Sequence, residues 1–288
     1  MAVAVVVEPI MSAPVDRAGI TITGLGIGES VVSVWQVTEG ERNPVPGYRR
    51  VTMNDADYVV DYYAPLQRPV SYEVEVISGP GGPSRTTSDP VMLPSTTGFI
   101  MDSLVPQTAI PVTGGTSGND GDLYLRSSAL SSLEYSADVS VFKVMGSDKP
   151  MALFGQRMAE MGLDTSLGIN SAEENARLKS LLRSTASLVF KPLPEWGDFG
   201  LSGALFLANA KARQTPVNVA FGGRLTWWDL QSDVVQAPAI KVLSATFTYG
   251  DVAILFSTYQ AKLDAVVAGA AAAGEAPTYL FDLKRPLG

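Results

Sequence analysis

A mainly β protein of more than one domain is what this sequence predicts, and three observations carry that expectation. Short apolar runs alternate with polar residues at period two, the mark of strands with one buried face. The 27 glycines and 19 prolines fall between those runs, where turns need them. Ahead of the C-terminal segment, a single stretch carries convincing helix signals. At 288 residues, 46% of them apolar and 17% charged, the chain is long enough for two domains and rich enough for a sizeable core.

Residues 1–94 read as one sandwich domain. Val3, Val5 and Val7 alternate as in a strand, and so do Ile20 and Ile22, followed by turn glycines Gly24, Gly26 and Gly28. Val32 and Val34 with Trp35 and Val37 form the next run, and Tyr58-Val59-Val60-Asp61-Tyr62 another. In Tyr72-Glu73-Val74-Glu75-Val76 the period places Tyr72, Val74 and Val76 on one face. Turns separate these runs at intervals of about ten residues, the spacing of a small sandwich. Ala64-Pro65-Leu66-Gln67-Arg68-Pro69-Val70-Ser71-Tyr72 resembles the tyrosine corner of fibronectin type III domains, in which a tyrosine hydroxyl bonds back to the backbone. A fibronectin III/Ig-like sandwich is therefore expected, with Trp35 and Tyr72 in its core. Ser78-Gly79-Pro80-Gly81-Gly82-Pro83-Ser84 reads as a tight loop before a final strand.

Pro90 to Thr97, rich in Pro, Ser and Thr, marks the boundary. Residues 98–237 read as a second β-sandwich. Strands are expected at Leu123–Arg126, Ser140–Val144, Met151–Phe154, Gly162–Ile169, Ser187–Phe190, Leu201–Leu207 and Phe221–Leu230. The helix near 171–185 opens on Ser171-Ala172-Glu173-Glu174, which has the form of a capping box, and continues with the apolar stripe Leu178, Leu181 and Leu182. From Pro238 the character changes. Thr248-Tyr249, Thr258-Tyr259 and Thr278-Tyr279 recur around an Ala-rich stretch, Leu263–Ala273. Residues 238–288 read as a C-terminal arm, helical or extended, or as a short helical pair covering the sandwich.

What is missing narrows the chemistry. With no Cys there is no disulfide, thiolate nucleophile or Cys-based zinc site, and with no His the usual neutral-pH base and commonest metal ligand are gone. Ser-His-Asp, Cys-His and HExxH chemistries are excluded, whereas paired carboxylates, Ser-Lys dyads and carboxylate-bound metals are not. The net charge of −8 and the lack of a basic cluster beyond Arg49-Arg50 speak against nucleic-acid binding. Met1–Pro9 lacks the basic start of a signal peptide. Neither that segment nor Ala265–Ala273 approaches the ~20 apolar residues of a membrane span. A soluble product of a cytoplasm, without membrane insertion, is expected.

Four groups of side chains are candidates for chemistry. Gly114–Asp122 lacks the Lys-Ser/Thr of a phosphate loop, and Asn119, Asp120 and Asp122 lack the Glu an EF-hand requires, so a surface turn is expected. The pairs Asp55 with Asp57 and Glu173 with Glu174 have structural explanations, a turn and a helix's first turn. Trp196, Trp227 and Trp228 offer rings for sugar stacking against a default of packing, and one of the adjacent pair must point outward from a strand. No catalytic, cofactor-binding or metal residues are assigned.

Several stretches together resemble minor tail proteins of long-tailed phages infecting actinobacteria, of the distal-tail or tail-tip hub type. They are Val34-Trp35-Gln36-Val37-Thr38-Glu39-Gly40, Asp61-Tyr62-Tyr63-Ala64-Pro65-Leu66, and Tyr72-Glu73-Val74 with Gly79-Pro80-Gly81-Gly82. Glu173 through Leu182, followed by Pro192, Pro194 and Trp196-Gly197-Asp198, and the C-terminal Thr-Tyr repeats extend the similarity over nearly the whole chain. The resemblance implies a tail-tube-like second unit in which neighbouring subunits pair strands around a channel. It also implies a non-enzymatic virion protein of the tail tip, made in the host bacterial cytoplasm and forming a three- or six-fold ring with itself and with other tail proteins. A module binding host cell-wall glycan is the alternative.

Overall fold

The computed structural model describes residues 3–114, 123–126, 129–130, 134–143, 150–185, 187–196, 203–217 and 225–237, and the chain is mainly β. These residues fall in two compact units, one within Met1–Ser95 and Leu104–Gln107, the other within Thr96–Ser103 and Thr108–Ala237. The arm expected over 238–288 lies outside the described residues. So do 115–122 of the glycine-rich loop and parts of three expected strands, at 144, 201–202 and 221–224.

The first unit holds β1 (Ala4–Ile10), β2 (Arg17–Thr23), β3 (Glu29–Thr38), β4 (Glu41–Pro44), β5 (Val51–Asn54), β6 (Asp57–Asp61), β7 (Pro69–Ser78), β8 (Ser84–Thr87) and β9 (Val91–Met92). One sheet runs β1-β2-β6 and the other β4-β3-β7-β8, with β5 also on β3 and β9 on β7. Along β7 the period-two expectation holds: Val70, Tyr72, Val74 and Val76 are buried while the residues between them are not. Ile20, Ile22 and Val59 of the other sheet are buried as well.

Trp35 is a correction. It sits half-buried on the outer side of β3, because Val32 and Val34 already take the inner positions and strand alternation sends the next residue out. Its ring lies under the Arg42 guanidinium, 3.8 Å from the centroid, and its indole N–H donates to Glu75 Oε2 at 3.0 Å. Cation–π contact and a carboxylate partner stabilise the aromatic there without core burial.

Tyr72 is buried as expected, yet its hydroxyl finds a different acceptor from the one the corner motif suggests. It donates to Asp61 Oδ2 at 2.8 Å, a side-chain carboxylate at the end of β6. Gln36 Nε2 on β3 donates to the same oxygen at 3.1 Å, and the Tyr63 backbone N–H donates to Asp61 Oδ1 at 2.8 Å. Asp61 is itself buried. A charge removed from water must be compensated by donors, and two of them, Gln36 and Tyr72, come from strands of the opposite sheet, so desolvation and pairing together tie the two sheets. Burial, and then the Asp61 charge, push the Tyr72 hydroxyl well above the ordinary tyrosine range.

The second unit holds β10 (Gly98–Asp102), β11 (Ile110–Gly114), β12 (Leu123–Leu125), β13 (Glu134–Phe142), β14 (Met151–Met161), β15 (Leu163–Ile169), α1 (Ala172–Ser184), β16 (Leu188–Lys191), β17 (Leu205–Pro216) and β18 (Thr226–Val235). The sequence suggests a β-sandwich here. Seven strands close into a barrel in the order β10-β11-β12-β15-β18-β17-β16. Alternation has the same period in a sandwich and in a barrel, so pattern alone does not separate them. The deciding contact is the antiparallel pairing of β10 with β16, Phe99 opposite Lys191 and Ile100 opposite Phe190, between segments far apart in the chain.

Inward positions fill the barrel: Leu167 lies opposite Trp228 and Thr165 opposite Leu230, all buried. The helix adds Leu178 and Leu181 to that same core. Trp228 donates its indole N–H to Asn175 Oδ1 at 2.9 Å, fastening α1 to β18. The capping box is not formed. Ser171 stands at the N-cap but makes no side-chain cap bond, and Glu174 pairs with Arg177 at 2.7 Å within the helix. The strands expected at 140–144 and 151–154 are parts of a longer pair: β13 and β14 make a separate two-stranded ribbon outside the barrel path.

Replacing Tyr72 with Phe keeps the ring and removes one of Asp61's donors. We expect a loss of about 1.5–3 kcal/mol in unfolding free energy, the scale of a hydrogen bond to a charged group. Urea unfolding followed by circular dichroism measures it, and an unchanged midpoint would show that the carboxylate does not depend on the hydroxyl.

Candidate functional site

The carboxylate pairs singled out in the sequence are held by local structure. Asp55 has a left-handed backbone (φ 40°) in the β5–β6 turn, and Asp57 Oδ1 accepts the Tyr58 backbone N–H at 2.7 Å. Glu173 lies exposed in the first turn of α1, and Glu174 is engaged by Arg177. Among the described residues no group of three acidic side chains is gathered to hold a metal ion.

The three tryptophans do not form an open platform. Trp196 lies over Gly98 and Gly114, where a Cβ at either position would collide with its ring, and it stacks on Phe190 with centroids 6.1 Å apart. Trp228 points into the barrel. Trp227 points outward, as one of the adjacent pair must, but its ring is already covered. The Arg126 guanidinium sits 4.5 Å from its centroid, and Tyr124 meets it edge-on at 5.9 Å. Both rings crowd Gly168, the position between them on β15, where any side chain would clash. Arg126 is held in place by Asp229 at 3.3 Å.

The first unit's solvent side carries a charge lattice. Arg42 binds Glu73 at 2.6 Å and Glu75 at 2.9 Å, and Arg85 binds the same two carboxylates at 3.1 and 2.8 Å. These bonds, Arg85's first and Arg42's second, hold the Glu75 carboxyl at about 2, below its usual 4.5. The lattice spans β4, β3, β7 and β8 and covers that face with paired charge.

The feature that stands apart is the β13–β14 ribbon. Val139, Val141, Phe142, Met151 and Leu153 have 44 to 66% of their surface exposed. Val139 lies opposite Phe154 and Val141 opposite Ala152, while Ser140 lies opposite Leu153 and Phe142 opposite Met151. Directly opposed residues share a face, so Val139, Val141 and Ala152 line one side and Phe142, Met151 and Leu153 the other. Both faces of the outer half are therefore largely apolar, with Ser140 the polar member on the second. Each strand of the ribbon also has one edge with no strand paired to it among the described residues.

A two-stranded ribbon with apolar side chains on both faces is marginal in water by itself. Exposed apolar surface together with free strand edges marks an interaction site. The ribbon was not singled out from the sequence, although a signal is there. Met151-Ala152-Leu153-Phe154 is an unbroken apolar run, and in a strand an unbroken run means both faces are to be buried.

No protein-family model matches the chain, and no curated protein or solved structure matches it significantly.

Glu75 gives a pH test of the lattice. A carboxyl whose folded value is lowered stabilises the fold fully above its unfolded value and loses that contribution as pH falls toward the folded value. Between about pH 4.5 and 2, the unfolding midpoint should therefore fall less steeply in Glu75→Gln than in the parent chain. Identical slopes would mean that the pairing is screened away by solvent.

Proposed function

We propose that this chain is a structural virion protein of a phage tail tip, of the distal-tail or hub kind, which works by assembling into a closed ring and contacting the tail tube and other tip proteins. The observation that carries the reading is the β13–β14 ribbon, largely apolar on both faces at its outer half and, among the described residues, unpaired along both edges. A ring built by rotation uses heterologous contacts, in which one patch of each copy meets a different patch of the next. β13 and β14 supply two different edges. Rotation about an axis along the strands keeps their directions, so β14 of one copy meets β13 of the next antiparallel, as in an ordinary hairpin sheet.

Two features of the fold support the same reading. The strand order β1-β2-β6 in one sheet and β4-β3-β7-β8 in the other agrees with a fibronectin type III-like first unit. In the second unit the helix inserted between β15 and β16 agrees with the tail-hub type that the sequence resembles. Obligate assemblies of this kind bury more than ~2,000 Å² per contact set. The side chains that most enzymes use to move protons near neutral pH are missing, which favours a structural role over catalysis.

Purified protein should form discrete rings by light scattering and negative-stain electron microscopy. The double variant Val141→Asp, Leu153→Asp should abolish them. Both positions are exposed in the single chain, so its unfolding free energy should stay within about 0.5 kcal/mol of the parent. A parent chain that remains monomeric at every concentration would sink the assembly reading. Release of sugar or peptide from host cell wall would sink the non-enzymatic one.

A further inference from the structure

We infer that the barrel of the second unit binds one internal water molecule, held between the hydroxyls of Thr165 on β15 and Ser232 on β18. The inference concerns the inside of a single chain and is independent of the ring reading.

The pairing of β15 with β18 sets Leu163 opposite Ser232 and Thr165 opposite Leu230. Directly opposed residues share a face, and all four are buried, at 2% exposure or less. Both hydroxyls therefore stand on the inner face of the barrel, diagonal to one another on adjoining strands. Their surroundings are apolar: Leu167 and Ile169 follow on β15, and Leu230 and Trp228 precede Ser232 on β18. Yet among the described residues neither Thr165 Oγ1 nor Ser232 Oγ has a hydrogen-bond partner, and they do not bond to each other. Burying a hydroxyl without a partner costs on the order of tenfold in the folding equilibrium constant. Valine and alanine would occupy the same two places without that cost.

Two features of the wall suit a guest. Ser232 is much smaller than Leu230 and Trp228, which face the same interior from its own strand. Opposite it on β17, the register slips by one residue between Asn209 and Lys211, which makes Ala210 the extra residue of a bulge. A bulge takes backbone groups out of the ladder, and here it does so beside Ser232. Internal waters usually make about three hydrogen bonds, so two hydroxyls and one such backbone group form a complete set.

The chemistry of the pair selects the guest. Each hydroxyl both donates and accepts, and neither carries charge. An ion would be left without a counter-charge, and an apolar guest would leave both hydroxyls unpaired. Water donates to one and accepts from the other. Diagonal neighbours lie roughly 7 Å apart along the sheet, a gap that two hydroxyls bridged by a water span.

Thr165→Val and Ser232→Ala each remove one hydroxyl with little change of shape. With a bridging water, each single variant strands the remaining hydroxyl and should raise the unfolding equilibrium constant about fivefold or more, measured by urea unfolding. The double variant should lose less than the two effects combined. Single variants that are each more stable than the parent would show two hydroxyls buried without a water, and would overturn the proposal. Magnetic relaxation dispersion of the solvent water, compared between the parent and the double variant, should show one long-lived water fewer in the variant. An equal number would overturn the proposal even if the single variants couple, because the coupling would then come from a direct bond between the hydroxyls. A high-resolution crystal structure of the parent chain needs no variant to fold. It should place a water within hydrogen-bond distance of both oxygens, and a dry gap there would overturn the proposal.

Discussion

The hydrogen-bonding groups along a strand must be paired, covered or guarded, and the ways this chain meets that constraint account for most of its architecture. In the second unit closure does the work: with β16 joined to β10, each of the seven barrel strands has a neighbour on both sides. In the first unit, charged residues and proline stand on strands at the sheet edges. The β13–β14 ribbon meets the constraint in neither way among the described residues. Its edges and its apolar outer half find partners in another molecule under the reading proposed above.

The same economy governs polar groups inside. Asp61 sits buried at the seam of two sheets, and each oxygen receives a donor from elsewhere in the unit: Tyr72 and Gln36 on one, the Tyr63 backbone on the other. A buried carboxylate with good donors is costly to disturb, because removing any partner leaves part of a charge uncompensated. In the barrel, Trp228 has the matching role. Its ring fills the interior while its N–H reaches Asn175, so one side chain both packs the core and positions the helix.

Much of this was legible from residue order alone. The alternation of Tyr72, Val74 and Val76 placed them inside correctly, and the Leu178, Leu181 stripe gave the helix and its buried face. Trp35 shows where a general preference misleads. Large aromatics are usually buried, yet with Val32 and Val34 inside, the strand's own period already sent Trp35 outward. Ser171 and Glu174 had the spacing of a capping box, but Arg177 offered Glu174 a full charge one turn away and took it. The exposed ribbon was readable in part, through the unbroken run at Met151–Phe154. That its strands stand apart from the barrel was not.

Composition by itself determined the chemistry available to this protein: without Cys or His, proton transfer near neutral pH and soft-metal ligation lose their usual side chains. Periodicity by itself determined that the chain is made of strands, and which residues of each face inward. Tertiary structure alone decided that the second unit closes into a barrel, that Asp61 and Tyr72 meet across the sheets, and that β13 and β14 remain outside. Those outcomes rest on contacts between segments far apart in the chain, and a local pattern, which repeats every two or four residues, carries no information about which distant strand will supply the partner.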